Sequence, residues 1–228
     1  MAKQIKKKRH IRVIPILLVL LFGVIIYFSY MGLLLFKTEN IVILGNSLVS
    51  DQELIEAGGI SNYPSFFGTS SSSIKRKIKA NPYIKDVKVS RRFLFTFEIK
   101  VTEYKLLYQW QSDNNKVILE DGTELLSSDR IYGIPTVLNY IPDTKRSSFI
   151  DGMNNIEDDL RRQISEITYV PNDFDKDRFL LTMDDSNSVY LTLTKFDMIN
   201  YYNSVLPQLE GRHGILYLDS GNHFQIME

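Results

Sequence analysis

A run of 24 residues, Val13 to Phe36, contains no charged side chain. Only Pro15, Gly23, Ser29 and Gly32 fall outside the apolar set. A helix on the surface of a soluble domain needs one wet face, and this run has none. At about 1.5 Å per residue it crosses a hydrocarbon core of roughly 30 Å. A cleaved signal peptide has an apolar stretch of only about 7–15 residues and a small-residue cleavage site. Met31-Gly32-Leu33-Leu34-Leu35-Phe36-Lys37 offers no such site. The run therefore reads as an uncleaved single-pass anchor. Tyr27, Tyr30 and Phe36 lie toward its outer end, where aromatic rings suit the headgroup region.

Charge orients this anchor. Lys3, Lys6, Lys7, Lys8, Arg9 and Arg12 precede it with no acid among them. The excess of basic residues places the N-terminus in the cytoplasm, in reach of anionic lipid, and everything from Lys37 onward outside. The chain is formally neutral, with 27 basic and 27 acidic residues. Since six of the basic ones lie before the anchor, the outer part carries a net charge of −6. That sign argues against a nucleic-acid partner. The sequence has no cysteine, so disulfide scaffolds, zinc ribbons and thiol nucleophiles are excluded, and the outer part must rely on its own cores.

The region after the anchor punctuates clearly at first. Asn40 to Leu44 is a β-type run that stops at Gly45-Asn46. Ser50-Asp51-Gln52-Glu53 is a capping-box pattern that opens a helix, and Gly58-Gly59 ends it. The serines at 70–73 are suited to N-cap a second helix through Ile74 and Ile78, ending by Asn81-Pro82. Val87 and Val89 then alternate with Lys88 and Ser90. Phe95, Phe97, Ile99 and Val101 alternate with Thr96, Glu98, Lys100 and Thr102, which predicts a half-buried strand. The order is β-α-α-β-β, with a small sheet covered by two helices.

The second half is rich in strand signals. Leu106 to Trp110, Lys116 to Glu120 and Ile134 to Leu138 read as extended segments, with turns at Asp113-Asn114-Asn115 and Asp121-Gly122. Phe179–Met183 and Val189–Thr194 flank a turn at 184–188 and predict a hairpin. Phe149 to Ile167 reads as a helix, from Ile156, Leu160 and Ile164 at four-residue spacing. Phe196 to Leu209 reads as a second helix, and Gly214 to Asp219 as the final strand. The expected fold class is α+β, a single transmembrane helix followed by a β-α-α-β-β domain and a strand-rich domain with two helices. The expected boundaries are 1–12, 13–36, 37–105 and 106–228.

Several segments carry a family resemblance in order and spacing. They are Ile41-x-Ile43-x-Gly45-Asn46, Ser50-x-x-Glu53, Asn81-Pro82-Tyr83-Ile84-Lys85-Asp86-Val87-Lys88-Val89-Ser90-Arg91, Phe97-Glu98-Ile99-Lys100-Val101-Thr102-Glu103 and Leu216-Tyr217-Leu218-Asp219-Ser220-Gly221. Following directly on an anchor, they resemble the DivIB/FtsQ family of bacterial cell-division proteins across essentially the whole chain. Two features depart from the family pattern. Arg92-Phe93-Leu94-Phe95 stands where relatives carry a Pro-Asn-type turn, and the segment before the anchor is short.

The resemblance implies a POTRA domain followed by a β domain in a non-enzymatic scaffold of the division septum, in the cell membrane with its N-terminus in the cytoplasm. It implies FtsL-type and DivIC/FtsB-type single-pass partners, and promotion of septal peptidoglycan synthesis together with its synthase complex. It also implies that the last strand touches those partners, which selects Ile215, Leu216, Tyr217, Leu218, Asp219, Ser220 and Gly221. An open strand edge offers unpaired N–H and C=O groups to which a partner strand can add.

Sharper chemistry finds little support. Only three histidines are present, His10, His213 and His223, and neither G-x-S-x-G nor H-E-x-x-H occurs. No catalytic, cofactor or metal residue is expected. Asp158-Asp159 and Asp184-Asp185 read as solvated pairs, and Lys75-Arg76-Lys77-x-Lys79 as the wet face of a helix. The alternative reading is a membrane-anchored wall- or glycan-binding module, with Trp110, Tyr201, Tyr202 and Tyr217 stacking on sugars, or a POTRA-type secretion protein. Core packing is the commoner fate of such rings, and a secretion protein would be expected to repeat the POTRA unit, of which one copy is present.

Overall fold

The computed structural model describes residues 13–111, 116–127 and 129–227. The basic N-terminal segment, with His10, and the Asp113-Asn114-Asn115 turn lie outside the described residues. The chain divides into two compact units between Glu103 and Tyr104.

The first unit opens with α1 (Val13–Leu34), 22 residues of apolar sequence and long enough to cross a membrane. Next come β1 (Asn40–Leu44), α2 (Asp51–Gly58), α3 (Ser71–Ile78), β2 (Ile84–Arg92) and β3 (Thr96–Glu103). The sheet order is β1-β3-β2, with β1 parallel and β2 antiparallel to the central β3. This is the expected β-α-α-β-β arrangement. The buried positions of β3, Phe97, Ile99 and Val101, pack with Leu54 of α2 and Ile74 and Ile78 of α3. Burial of each such side chain contributes about 1.5–3 kcal/mol. α2 and α3 come into van der Waals range at Gly58, where a Cβ would stand 3.4 Å from both Ile74 and Ile78.

Local polar chemistry sets the ends of these elements. The Ser50 hydroxyl accepts from the Glu53 amide at 3.2 Å, and Gly59 closes α2 with φ +69°. Glu53 accepts instead from Asn81 Nδ2 at 3.0 Å, so its side chain staples α2 to the end of α3. Ser70 holds the N-cap position of α3 with extended backbone but makes no side-chain cap bond, contrary to expectation. Phe95 also departs from its expected place. It lies in the tip of the β2–β3 hairpin, where Leu94 and Phe95 take φ of 57° and 48°, and not in the strand. Phe95 stacks on Phe36 with ring centroids 5.2 Å apart, and Phe66 packs edge-on against it at 5.6 Å.

The second unit carries β4 (Leu106–Trp110), β5 (Lys116–Leu119), β6 (Glu124–Leu126) and β7 (Thr136–Val137). It continues with α4 (Asp143–Asn154), α5 (Asp158–Arg161), β8 (Ile164–Tyr169), β9 (Arg178–Met183) and β10 (Ser188–Thr192). A 3₁₀ run (Leu193–Tyr201), α6 (Tyr202–Val205) and a second 3₁₀ turn (Leu206–Leu209) lead to β11 (Gly214–Tyr217) and β12 (His223–Ile226). One nine-stranded sheet results, in the order β12-β11-β10-β9-β8-β7-β4-β5-β6. Its core is aromatic. Phe149 stacks on Phe179 at 4.9 Å, and Phe196 meets both edge-on at 5.5 and 5.6 Å. Gly152 admits Phe196 to α4, because a Cβ there would stand 3.0 Å from that ring.

Three expectations change here. The helix expected over 149–167 is α4, then α5, then strand β8. Ile156, Leu160 and Ile164 are all buried, but they reach the core from a loop, a helical turn and a strand. Asn200 reinforces the break, accepting from the Glu157 amide at 3.0 Å and donating to the Asn155 carbonyl at 2.9 Å. The helix expected over 196–209 is mostly 3₁₀, with only four residues of α6, as suits its β-branched, aromatic and Pro207 content. Finally, β11 is not the last strand, since β12 follows it and pairs antiparallel.

Candidate functional site

The seven residues from Ile215 to Gly221 lie at one end of the nine-stranded sheet, and the pleat divides them. Leu216 and Leu218 point inward and are buried, while Ile215 and Tyr217 are half-buried on the opposite face. Ser220 and Gly221 are exposed in the turn to β12. β11 runs parallel to β10 on one side and antiparallel to β12 on the other. Both edges of β11 are thus occupied, and a partner strand has no place to add there. The open edge belongs to β12, whose only neighbour among the described strands is β11.

Gly214 makes this closure feasible. Its amide donates to Asn187 Oδ1 at 2.9 Å, and a Cβ on it would stand 2.0 Å from the Gln225 carbonyl oxygen. Any side chain at 214 would push β12 away.

On the outer face a ladder of side chains crosses four strands. The Arg178 guanidinium lies over the Tyr190 ring, 3.5 Å from its centroid. Tyr190 packs on Tyr217 at 5.2 Å, and Tyr217 stacks on His223 at 4.5 Å and 4°. Arg178 Nε also donates to Asp219 Oδ2 at 2.6 Å, with the Asp219 side chain 6% exposed. Asp219 therefore fixes the guanidinium that caps the stack, and the stack ends on the edge strand. Tyr217 Oη adds a bond to Gln225 Oε1 at 3.1 Å.

On the inner face the same strands floor a groove of about 750 Å³, lined by Leu216, Leu218, Phe224, Ile226, Met198 and Tyr201 among others. Ile226 and Tyr201 are 47% and 62% exposed. An exposed strand edge beside an apolar groove can accept a segment with alternating side chains: main-chain bonds supply affinity and the groove supplies selectivity. Tyr202, beside the groove residue Tyr201 in sequence, is buried. Its hydroxyl donates to Asp185 at 2.7 Å, and burial together with that carboxylate raises its pKa, so it keeps its proton.

The sequence reading missed β12, Arg178 and Tyr190. His223-Phe224-Gln225-Ile226 alternates polar and apolar directly after Ser220-Gly221-Asn222, a hairpin signal that could have revealed β12. Nothing local marks Arg178 or Tyr190, which reach the site only through sheet pairing.

A second cavity, of about 610 Å³, lies near β4 and β7. Trp110, Asn139, Tyr140 and Arg146 line it, with the Arg146 guanidinium 5.8 Å from the Trp110 ring and Nη1 donating to Glu124 at 3.0 Å. No cluster of three or more His, Asp or Glu side chains suited to a metal ion occurs among the described residues.

The FtsQ-type POTRA domain family matches residues 36–104. The chain is 28% identical over 232 residues to the cell division protein DivIB of Listeria monocytogenes, covering 98% of this chain and 85% of that protein. It is 27% identical over 231 residues to DivIB of Bacillus subtilis, covering 98% and 86%. The solved extracytoplasmic domain of Geobacillus stearothermophilus DivIB aligns with 48% of this chain and 96% of its own, at 18% identity and a TM-score of 0.40. With an anchor-like helix, a POTRA domain of the FtsQ type over residues 36–104 and a strand-rich second unit in one chain, the protein is similar along 98% of its length to the DivIB cell division proteins of Listeria monocytogenes and Bacillus subtilis.

Proposed function

We infer that this protein is a non-catalytic scaffold of the division septum that holds FtsL-type and DivIC/FtsB-type single-pass partners and thereby promotes septal peptidoglycan synthesis. In this reading the basic N-terminus is cytoplasmic, both folded units are extracytoplasmic, and the POTRA domain (37–105) serves recruitment. The observation that carries the reading is the unpaired edge of β12 beside the apolar groove. A partner strand adds to β12, not to β11. Ile215 to Gly221 act from behind: Leu216 and Leu218 floor the groove, Tyr217 stacks under His223, Asp219 holds Arg178, and Ser220-Gly221 shape the turn.

The test is capture of an FtsL/DivIC-type pair by the detergent-solubilised chain. Ile226→Lys places a charge in the groove at a position already half exposed, and Tyr217→Lys removes the support of the edge. Both should reduce capture at least tenfold. Leu218→Lys is a poor probe, since Leu218 is buried and its loss threatens the fold. Wild-type capture by both variants, with unchanged circular dichroism, overturns the reading. A fluorescent fusion should form a mid-cell band, and uniform membrane signal counts against septal work.

The glycan-binding alternative has one observation in its favour, the Trp110 and Tyr140 rings in the second cavity, with Tyr140 65% exposed. Sugars stack on such rings. Retention of the purified chain on peptidoglycan, lost in Trp110→Ala, would support that reading, and no retention removes it.

A further inference from the structure

We propose that the tip of the β2–β3 hairpin is a membrane wedge: Phe93 and Leu94 enter the headgroup layer of the bilayer that α1 spans and hold the POTRA domain against the lipid surface. The inference rests on α1 crossing a membrane.

The first observation is exposure. Phe93 is 89% and Leu94 58% exposed, and Leu35 and Phe67 in the same unit are 81% and 42% exposed. Folding gains nothing from a bare phenylalanine at a hairpin tip, where turn chemistry favours Gly, Asn or Asp.

The second is backbone strain. Leu94 and Phe95 both take positive φ, a region that a non-glycine side chain adopts only against steric strain. The strain presents apolar side chains at the tip where two small polar residues would relieve it.

The third is position. Phe36, two residues beyond the end of α1, stacks on Phe95 of the tip at 5.2 Å. The Glu39 amide donates to the Phe95 carbonyl at 3.0 Å, and the Phe66 amide to the Phe36 carbonyl at 2.9 Å. The Leu34 side chain lies against Gly68, where a Cβ would stand 3.0 Å from it. The tip is therefore tied to the last turn of α1. The 22 residues of α1 span about 33 Å, against a hydrocarbon core of roughly 30 Å. The exit of α1 then falls at the inner boundary of a headgroup layer about 5–8 Å deep, and the tip falls within it. Aromatic and aliphatic side chains partition there. Arg91 stands on the stem, its Nη2 bonded to the Thr69 carbonyl at 2.6 Å, and Lys37, directly after Phe36, forms a backbone bridge with Ser65, so the same end carries cations suited to anionic headgroups. A lipid surface is the occupant these constraints select, because a protein ligand at the tip would have to fit between it and the bilayer.

The absence of cysteine makes the test direct. Single-cysteine chains Phe93→Cys, Leu94→Cys, Tyr30→Cys and Leu48→Cys would be labelled with an environment-sensitive fluorophore and reconstituted at full length into phosphatidylcholine/phosphatidylglycerol vesicles holding a shallow doxyl lipid. Leu48 is an exposed control whose amide donates to Glu103, at the far end of β3 from the tip. Labels at 93 and 94 should be quenched at least threefold more than the label at 48, with blue-shifted emission. Phe93 has ordinary φ, so its label tests the idea even if substitution at Leu94 disturbs the turn. Quenching at 93 and 94 equal to that at 48, while the Tyr30 label is strongly quenched, overturns the wedge and leaves the anchor standing. An unquenched Tyr30 label overturns the membrane span and the wedge together. Shielding at 93 that appears only after other division proteins are added shows a protein contact and also overturns it.

Discussion

The two units close their structures by different means. The first seals the ends of its elements with polar clasps: Ser50 caps α2, Glu53 meets Asn81, and the Glu103 carboxylate gathers the Ser47, Leu48 and Val49 amides and the Ser47 hydroxyl, each at 2.9 Å. The second relies on stacked rings, Tyr108, Phe149, Phe179 and Phe196, and confines its main polar ladder to one end of the sheet. The difference teaches where each unit is vulnerable. The first should lose stability in small, partly pH-dependent steps. The second should fail in one large step once its ring stack is broken. The only tryptophan, Trp110, belongs to the second unit, so its fluorescence follows that unit, while amide exchange follows the first.

The largest effect is expected from Phe149→Ala. The ring is fully buried among Tyr108, Phe179 and Phe196, and its removal leaves a cavity costing about 3–5 kcal/mol. The Trp110 transition should move to much lower denaturant while exchange in β1–β3 stays unchanged. A shift of both units alike would break the comparison. Gly214→Ala comes next, with a local cost of up to about 3 kcal/mol, because its Cβ would collide with the Gln225 carbonyl. Exchange should quicken in β12 and partner capture should fall, with the Trp110 transition almost unmoved. Unaltered protection in β12 would refute the close-approach argument.

The same contrast explains what the sequence made legible. The first unit could be read because its signals are local: alternation in β3, Ser50 before Glu53, and glycines at 58 and 59. The anchor is legible for the same reason. The second unit misled where burial and period disagreed. Ile156, Leu160 and Ile164 have helical spacing and all are buried, yet sheet pairing with β9 claims Ile164. The geometry of the proposed site was half legible. The stretch 215–221 lies next to the strand at the sheet's edge, but the free edge itself is on β12, and Arg178 joins Asp219 across 41 residues of chain. No short-range pattern encodes such a pairing.

The third effect tests the pH dependence of the first unit. Burial alone would raise the pKa of Glu103, but the amides of Val49, Leu48 and Ser47 and the Ser47 hydroxyl outweigh it and hold the carboxyl below the usual glutamate range. The folded state therefore binds the proton less well than the unfolded chain. The contribution is complete above about pH 5 and is lost as the pH falls through the carboxylate range. Glu103→Gln should cost the first unit about 1.5–3 kcal/mol at neutral pH. It should also flatten the acid slope of exchange in β1 and β3. An identical acid slope in the variant would assign the pH dependence elsewhere.

The smallest effect is the sharpest test of the polar clasps. Ser50→Ala removes one acceptor, the hydroxyl that meets the Glu53 amide at 3.2 Å. Loss of an N-cap costs about 1 kcal/mol. Only part of the capping box operates here, because Glu53 turns to Asn81 and does not complete the reciprocal bond. If the cap acts alone, Ser50→Ala and Asn81→Ala should add, each raising exchange in α2 by a few-fold. If Glu53 couples them, the double variant should cost less than the sum, since freed from Asn81 the Glu53 carboxylate can turn back toward the amides at the start of α2. The double-mutant cycle, read by amide exchange in α2, decides between them. Additivity within about 0.3 kcal/mol would show that the two bonds, though joined through one glutamate, act independently.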